Sequence, residues 1–224
     1  MQNLFNFSTN RPYWKKNSMD GVFMKKIAKV LSLLMAATVI TFCISVVADR
    51  QQLNTDIIRL HVVAQSDSQQ DQDVKLQVRD AVMQNLQLKM ADIQDSLEAE
   101  EFLSGHLQEL ETVANAVLAQ CGVDYTASVT LESEAFDTRH YDTFSLPSGV
   151  YRSLRIRLGE ARGKNWWCVV FPSLCMQASS TQEDMSVFSD TLTDTIERKE
   201  GYELRFFLLD WLGNLEKIFF SAEY

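Results

Sequence analysis

The chain has 224 residues, of which 21 are basic and 30 are acidic, and its formal net charge is −9 at pH 7. Six of the basic residues and one of the acidic residues lie in residues 1–48, so residues 49–224 carry a net charge of −14. An acidic surface repels phosphate backbones and anionic lipid headgroups, which argues against nucleic-acid binding and against membrane attachment through a basic patch.

The N-terminal part contains a segment typical of exported proteins. Three lysines precede an uncharged run over residues 30–47, which as a helix would be about 27 Å long, close to the thickness of the hydrocarbon core of a bilayer. The small residues Val46 and Ala48 favour cleavage after Ala48, and the length also suits an uncleaved anchor. We therefore predict an N-terminal lead with a signal peptide or membrane anchor in residues 1–48 and a single exported domain in residues 49–224.

The next segments predict a strand followed by a helix. Apolar residues alternate over residues 58–64, the period of a half-buried strand. Ser68, with Asp71 three residues later, predicts a helix that begins near residue 69. Four residues repeat at intervals of four and predict its buried stripe: Val74, Val78, Val82 and Leu86. Three charged residues are expected to face outward: Lys75, Arg79 and Asp80.

A second helix and three strands follow. Asp95 and Glu98 repeat the helix-start pattern, and apolar residues in steps of three and four continue until Gly122, a residue typical of helix ends. Apolar residues then alternate in two segments, residues 125–131 and 154–158, which predict strands. Residues 165–175 contain no charge and are apolar on both faces, as in a central strand.

Beyond residue 176 the chain is polar until residues 205–212, whose large apolar side chains predict an element that packs on the domain. The order of the predicted elements indicates an α+β domain. We expect a mostly antiparallel sheet with two or three helices packed on one face, preceded by the export segment. The order of the strands in the sheet is not determined by these patterns.

Trp166 and Trp167 are the most distinctive residues of the chain. In a strand, adjacent side chains point to opposite faces, so one tryptophan can enter the core while the other needs a second apolar surface or is exposed. This pattern is typical of a contact with a partner protein. Cys168 and Cys175 are close enough in sequence for a disulfide in an oxidising compartment, and core cysteines explain the pattern equally well.

Catalytic and metal-binding patterns are not recognisable in the sequence. The three histidines lie in different predicted elements without metal-ligand spacing, and the acidic residues that follow Ser66 lack the glycine and glutamate of a calcium loop. No phosphate-binding loop or nucleophile elbow is present. We therefore predict no cofactor and no enzymatic activity. Arg155 and Arg157 share one strand face and are expected to bind an acidic partner or a carboxylate of this chain.

Several segments together resemble the stage II sporulation protein R family. They occur in the family's order and include the string from Asn165 to Cys175; the other segments are residues 58–68, 70–76, 78–82, 146–151, 158–159, 206–208 and Trp211. The resemblance extends over nearly all of residues 56–215. The lead in residues 1–23 is longer than this family leads us to expect.

The resemblance implies an exported developmental signal of endospore-forming bacteria. Such a protein is made in the forespore, enters the space between the two septal membranes, and activates a membrane-embedded aspartic protease of the mother cell that processes pro-sigma-E. Trp166 and Trp167 are the candidate partner-binding residues, followed by Asp67 and Arg79 from the matching segments. The alternatives are a secreted hydrolase acting on the cell wall in the intermembrane space and a membrane-anchored scaffold protein.

Overall fold

The computed structural model describes residues 19–141, 144–172, 190–196 and 203–222. Within these residues there are five helices and six strands. The helices are α1 (Met19–Asp56), α2 (Gln69–Lys89), α3 (Ser96–Gln120), α4 (Asp190–Ile196) and α5 (Glu203–Ala222). The strands are β1 (Ile58–Val63), β2 (Ala127–Phe136), β3 (Arg139–His140), β4 (Ser145–Leu146), β5 (Gly149–Leu158) and β6 (Asn165–Phe171).

Helix α1 contains the predicted export segment. Residues Phe23–Asp56 form a helix that is long and apolar enough to cross a membrane. The chain divides into two compact units, residues 1–44 and residues 45–224. The last turns of α1 therefore belong to the second unit, and the division into residues 1–48 and 49–224 stays a prediction. Cleavage after Ala48 stays a prediction.

A four-stranded sheet with the order β2-β5-β1-β6 forms the centre of the domain. Its outer pairs, β2 with β5 and β1 with β6, are antiparallel, whereas β1 and β5 are parallel. Strands β3 and β4 form a separate two-stranded sheet. The predicted α+β class with a mostly antiparallel sheet is confirmed.

Helices α2 and α3 cover one face of this sheet. Both begin at the predicted caps, because the Ser68 side chain accepts a hydrogen bond from the Asp71 amide and the Asp95 carboxylate accepts two from the first turn of α3. The predicted stripe of α2 is buried against the sheet. The expected exposure of Lys75 is wrong: its side chain is buried, and its ammonium group donates hydrogen bonds to Gln72 Oε1 and to the carbonyl of Lys164.

The opposite face of the sheet carries a second hydrophobic cluster. It combines the end of α1 with residues of the sheet, of α4 and of α5, and its fully buried members include Leu53, Ile57, Tyr151, Val169 and Leu209. The C-terminal apolar segment therefore packs on the domain as predicted. Its packing places α5 on the sheet face opposite to α2 and α3.

Candidate functional site

The two tryptophans lie on strand β6, at one edge of the described sheet. Trp166 is paired with Val62 of β1, and Trp167 is paired with His61. Because side chains alternate along a strand, the two rings project to opposite faces. The sequence-based expectation of opposite faces for the tryptophans is confirmed.

Trp167 is packed into the second hydrophobic cluster. Its ring stacks on His61 with a centroid separation of 3.7 Å and meets the ring of Phe136 edge to face at 5.0 Å. The Arg139 guanidinium also lies 5.4 Å from the centroid of this indole. Such packing makes Trp167 a structural residue of this face, and its contact with a partner stays a prediction.

Trp166 lies on the α2 and α3 face and retains 37% of its accessible surface. The Arg79 guanidinium lies over this indole, with its Cζ atom 4.4 Å from the ring centroid. Arg79 is held by Asp80, whose carboxylate lies 2.6 Å from Nη2. A planar cation over an aromatic face is a favourable arrangement. The structure thus brings two of the predicted partner-binding residues, Trp166 and Arg79, into direct contact.

Asp67 lies in the turn between β1 and α2 and fixes the start of β6. Its Oδ1 atom accepts a hydrogen bond from the Lys164 amide at 2.7 Å, while Lys75 binds the carbonyl of the same residue at 3.0 Å. Burial lowers the pKa of Lys75 from its ordinary value. Gly163 allows the close contact, because a Cβ atom there would lie 2.2 Å from the carbonyl oxygen of Ser66. Asp67 therefore positions the backbone two residues before Trp166.

Asp71 completes a hydrogen-bond network at the start of α2. Its carboxylate accepts hydrogen bonds from the Ser66 hydroxyl and, at 2.7 Å, from the Tyr125 hydroxyl. The hydrogen bond from Ser66 lowers the pKa of Asp71, with a further contribution from Tyr125. Burial and the carboxylate raise the pKa of Tyr125 in turn. The Ser66 hydroxyl is thus engaged in structural hydrogen bonding with a carboxylate.

A cluster of charged residues lies on the sheet face opposite to Trp166. His61 Nδ1 is 3.0 Å from Glu134 Oε1, and Arg155 Nη1 lies 3.2 Å from the same oxygen. Burial raises the pKa of Glu134, but the hydrogen bond with His61 and the charge of Arg155 outweigh it, so the net shift is downward. Arg155 and Arg157 both bind Glu132. Their predicted engagement by a carboxylate of this chain is confirmed.

Cys168 is disulfide-bonded. Its expected partner, Cys175, lies outside the described residues, so the pairing of these two cysteines stays a prediction. Cys121 is a free thiol at the end of α3. Within the described ranges, no group of three His, Cys, Asp or Glu side chains is arranged to hold a metal ion.

A family model described as stage II sporulation protein R matches residues 54–181. The protein named Stage II sporulation protein R from Bacillus subtilis (strain 168) is 32% identical over 180 residues, which cover 70% of this chain and 80% of that protein. The chain belongs to the stage II sporulation protein R family. No solved structure matches it.

Residues 146–151, one of the segments that resemble the stage II sporulation protein R family, surround the guanidinium of Arg50 at the end of α1. Arg50 Nη1 donates a hydrogen bond to the Tyr151 hydroxyl at 3.1 Å, and this hydroxyl donates to the carbonyl of Pro147 at 2.7 Å. A Cβ atom at Gly149 would lie 1.3 Å from Nη2 of Arg50, so a larger residue would force the guanidinium out of this position. The segment therefore holds the end of α1 against the sheet.

Two acidic residues complete this junction and tie α1 to α5. Glu216 of α5 binds Nη2 of Arg50 at 2.5 Å and also accepts a hydrogen bond from Asn54 at 2.8 Å. Asp49 forms an ion pair with Arg205 of α5. Sequence reasoning missed this junction. The signal was present in the two charged residues that directly follow the apolar run, Asp49 and Arg50.

Proposed function

We propose that this chain is an exported sporulation signal, made in the forespore, that activates the membrane-embedded aspartic protease responsible for processing pro-sigma-E. Family membership supports a role in sporulation, and the apolar helix α1 is compatible with export or membrane anchoring. We further propose that the signal acts in the intermembrane space of the septum. The protease changes state because the domain binds the active state more tightly than the inactive one.

The observation that carries this proposal is the contact of the exposed Trp166 ring with the partly exposed Arg79 guanidinium. A large aromatic ring with an arginine over its face is the composition that dominates binding energies in protein interfaces. Asp67 and Lys75 form hydrogen bonds with the backbone of Lys164, two residues before this ring, and so fix the start of its strand. We propose that this surface, with Asp67 as a supporting residue, contacts the protease.

Reconstitution in a non-sporulating host tests the proposal. The full chain is co-expressed with the candidate protease and pro-sigma-E, and conversion of the precursor is followed by immunoblot. Because loss of an interface anchor typically costs about 2 kcal/mol or more, Trp166→Ala should weaken the contact, and with it processing at limiting protein, by about thirtyfold. Leu97→Ala is the matched control, since Leu97 is also a large exposed apolar residue and lies on α3. Normal processing by an equally exported Trp166→Ala protein would contradict the assignment.

The alternative of a secreted hydrolase receives no support from the charged cluster on the opposite face. A general acid needs a carboxyl group whose pKa is raised towards the working pH. The pKa of Glu134 is lowered instead, and Glu132 is bound by two arginines. If the reconstituted system shows no processing although the protein is folded and exported, we would measure cell-wall hydrolysis next.

A further inference from the structure

Helix α5 has an unusual distribution of polar and apolar side chains. Five large apolar residues are exposed along it: Leu204, Phe207, Trp211, Ile218 and Phe219. Spacings of three, four and seven place Leu204, Phe207, Trp211 and Ile218 on one face of the helix. The exposed fractions of these five side chains range from 52% to 72%. Besides the side that buries Leu209 against the domain, α5 therefore has a second apolar side that is directed away from the domain.

The charged side chains of α5 bind partners in the domain. Four of the five form ion pairs or hydrogen bonds with it: Arg205 with Asp49, Asp210 with Ser148, Glu216 with Arg50, and Lys217 with Asp137. Packing of a surface helix usually buries its apolar stripe and exposes its charges. Here four of the charged residues bind the domain and Leu209 is buried against it, yet five large apolar side chains remain exposed, and an apolar surrounding would remove them from water.

The position of α5 relative to the apolar run in the chain indicates that this apolar surrounding is a membrane surface. Asp49 lies two positions after Val47, which is about 3 Å along a helix. The ion pairs of Asp49 and Arg50 fix α5 to this point of the chain. Wherever the run of α1 lies in a bilayer, α5 is held close to the membrane surface.

We propose that the exposed face of α5, formed by Leu204, Phe207, Trp211, Ile218 and Phe219, lies in the interfacial layer of the bilayer that the run of α1 enters. Tryptophan and phenylalanine are the side chains typical of this layer. A second copy of this acidic domain is a poor occupant, because two copies repel each other. The contact is made by apolar side chains and does not depend on a basic patch, which agrees with the acidic composition.

Photo-crosslinking tests this proposal on the full chain reconstituted into vesicles of phosphatidylethanolamine and phosphatidylglycerol. Benzoylphenylalanine replaces Phe207 or Phe219, and mass spectrometry identifies the adducts after irradiation. Because both positions face the interfacial layer, lipid adducts should exceed those of the control position Leu88 by about fivefold or more. Leu88 is the matched control because it is equally exposed and lies on α2, across the sheet. Replacing Phe207 and Phe219 separately keeps the test valid if one of the two replacements disturbs folding.

The crosslinked products also distinguish lipid from a second copy of the chain and from solvent at this face of α5. Covalent dimers in place of lipid adducts would show that a second copy covers α5, and adducts no more abundant than at Leu88 would show a solvated face; either result overturns the proposal. Raising the salt concentration from about 0.1 M to about 1 M should leave the lipid adducts unchanged, because apolar insertion is not screened. Loss of the adducts at high salt would also contradict it. Neither measurement requires the protease, so this inference and the proposed signalling function fail independently.

Discussion

Arg50 and Glu216 form an ion pair with a distance of 2.5 Å between Nη2 and Oε2, although 166 positions separate them in the chain. The Arg50 side chain is 8% exposed and Glu216 is 35% exposed. This pair, with Asp49 and Arg205 beside it, joins the helix that contains the apolar run to the last helix of the domain. Changes on either side of the junction should therefore weaken the docking of both helices.

Replacing Arg50 by Met should reduce the free energy of unfolding by about 2–3 kcal/mol, because Glu216 loses its ion pair and the Tyr151 hydroxyl loses one hydrogen bond in a mostly buried site. Urea unfolding of the full chain in detergent measures this change. Arg162→Met is the control, since Arg162 pairs with Glu160 in an exposed position and its loss should cost about 0.5 kcal/mol or less. Equal effects of both replacements would contradict the role of the junction.

Trp167→Ala should reduce the free energy of unfolding by about 3 kcal/mol, because its ring fills the cluster against His61 and Phe136. Trp166→Ala should cost about 1 kcal/mol or less, since its ring lies partly in solvent. Unfolding followed by far-ultraviolet circular dichroism avoids the loss of the tryptophan signal. If Trp166→Ala proved the more damaging change, the assignment of Trp167 to the core and Trp166 to the surface would be wrong.

The contact between Arg79 and Trp166 should appear as a coupling energy in a double-mutant cycle. With Arg79→Ala and Trp166→Ala, we expect about 0.5–1 kcal/mol, the range of an exposed cation over an aromatic ring. Arg79→Ala combined with Trp211→Ala provides the control, because these residues lie on opposite sides of the sheet and their effects should add within about 0.5 kcal/mol. A coupling energy of zero would contradict the contact between Arg79 and Trp166 on which the proposed binding surface depends.

Acid should weaken the start of α2 through Asp71. Its pKa in the folded state lies below the ordinary value of 3.8, so its contribution to stability is complete above pH 3.8 and is lost as the pH falls through the folded-state pKa. Because this carboxylate is partly screened by solvent, Asp71→Asn should reduce the free energy of unfolding by only about 1 kcal/mol at pH 7, and this difference should shrink below pH 3.8. Urea unfolding across this pH range measures it.

Asp73→Asn is the control for this pH dependence, because the exposed Asp73 carboxylate accepts a hydrogen bond from Gln69 on the same helix. We expect a change of about 0.5 kcal/mol or less at every pH. A loss of stability in Asp71→Asn that stays constant from neutral to acidic pH would show that the charge of Asp71 is not what stabilises the fold.

Arg59 is fully buried on β1, and we expect that its replacement does not reduce the free energy of unfolding. Its guanidinium lies 3.9 Å from the centroid of Phe136 and donates one hydrogen bond to the Tyr141 hydroxyl. Within the described part of the chain, its Nε and Nη1 atoms have no hydrogen-bond partner. Since burial of an incompletely paired charge is costly, Arg59→Met should leave the stability unchanged or increase it by about 1 kcal/mol. A loss of 3 kcal/mol or more would assign Arg59 a strong structural role through Phe136 and Tyr141.

The local elements of the domain could be predicted from the sequence because their causes are local. Caps at Ser68 and Asp95 satisfy amides within the next three residues, and the period of apolar residues distinguishes helices from strands. The opposite orientation of Trp166 and Trp167 follows from the geometry of any strand. The recognisable segments also indicated the family, because a string such as residues 165–175 can be compared directly.

The pairing of elements was decided by the tertiary structure. Parallel pairing of β1 with β5 and the edge position of β6 depend on hydrogen bonds between distant segments, which periodicity does not encode. Lys75 has the helical position of an outward residue and is buried because the β5–β6 connection covers it and offers a carbonyl. The contacts of Arg79 with Trp166 and of Arg50 with Glu216 also join segments that are distant in the sequence. The sequence determines which side chains are available for such contacts, and the packing of the elements determines which of them lie close together.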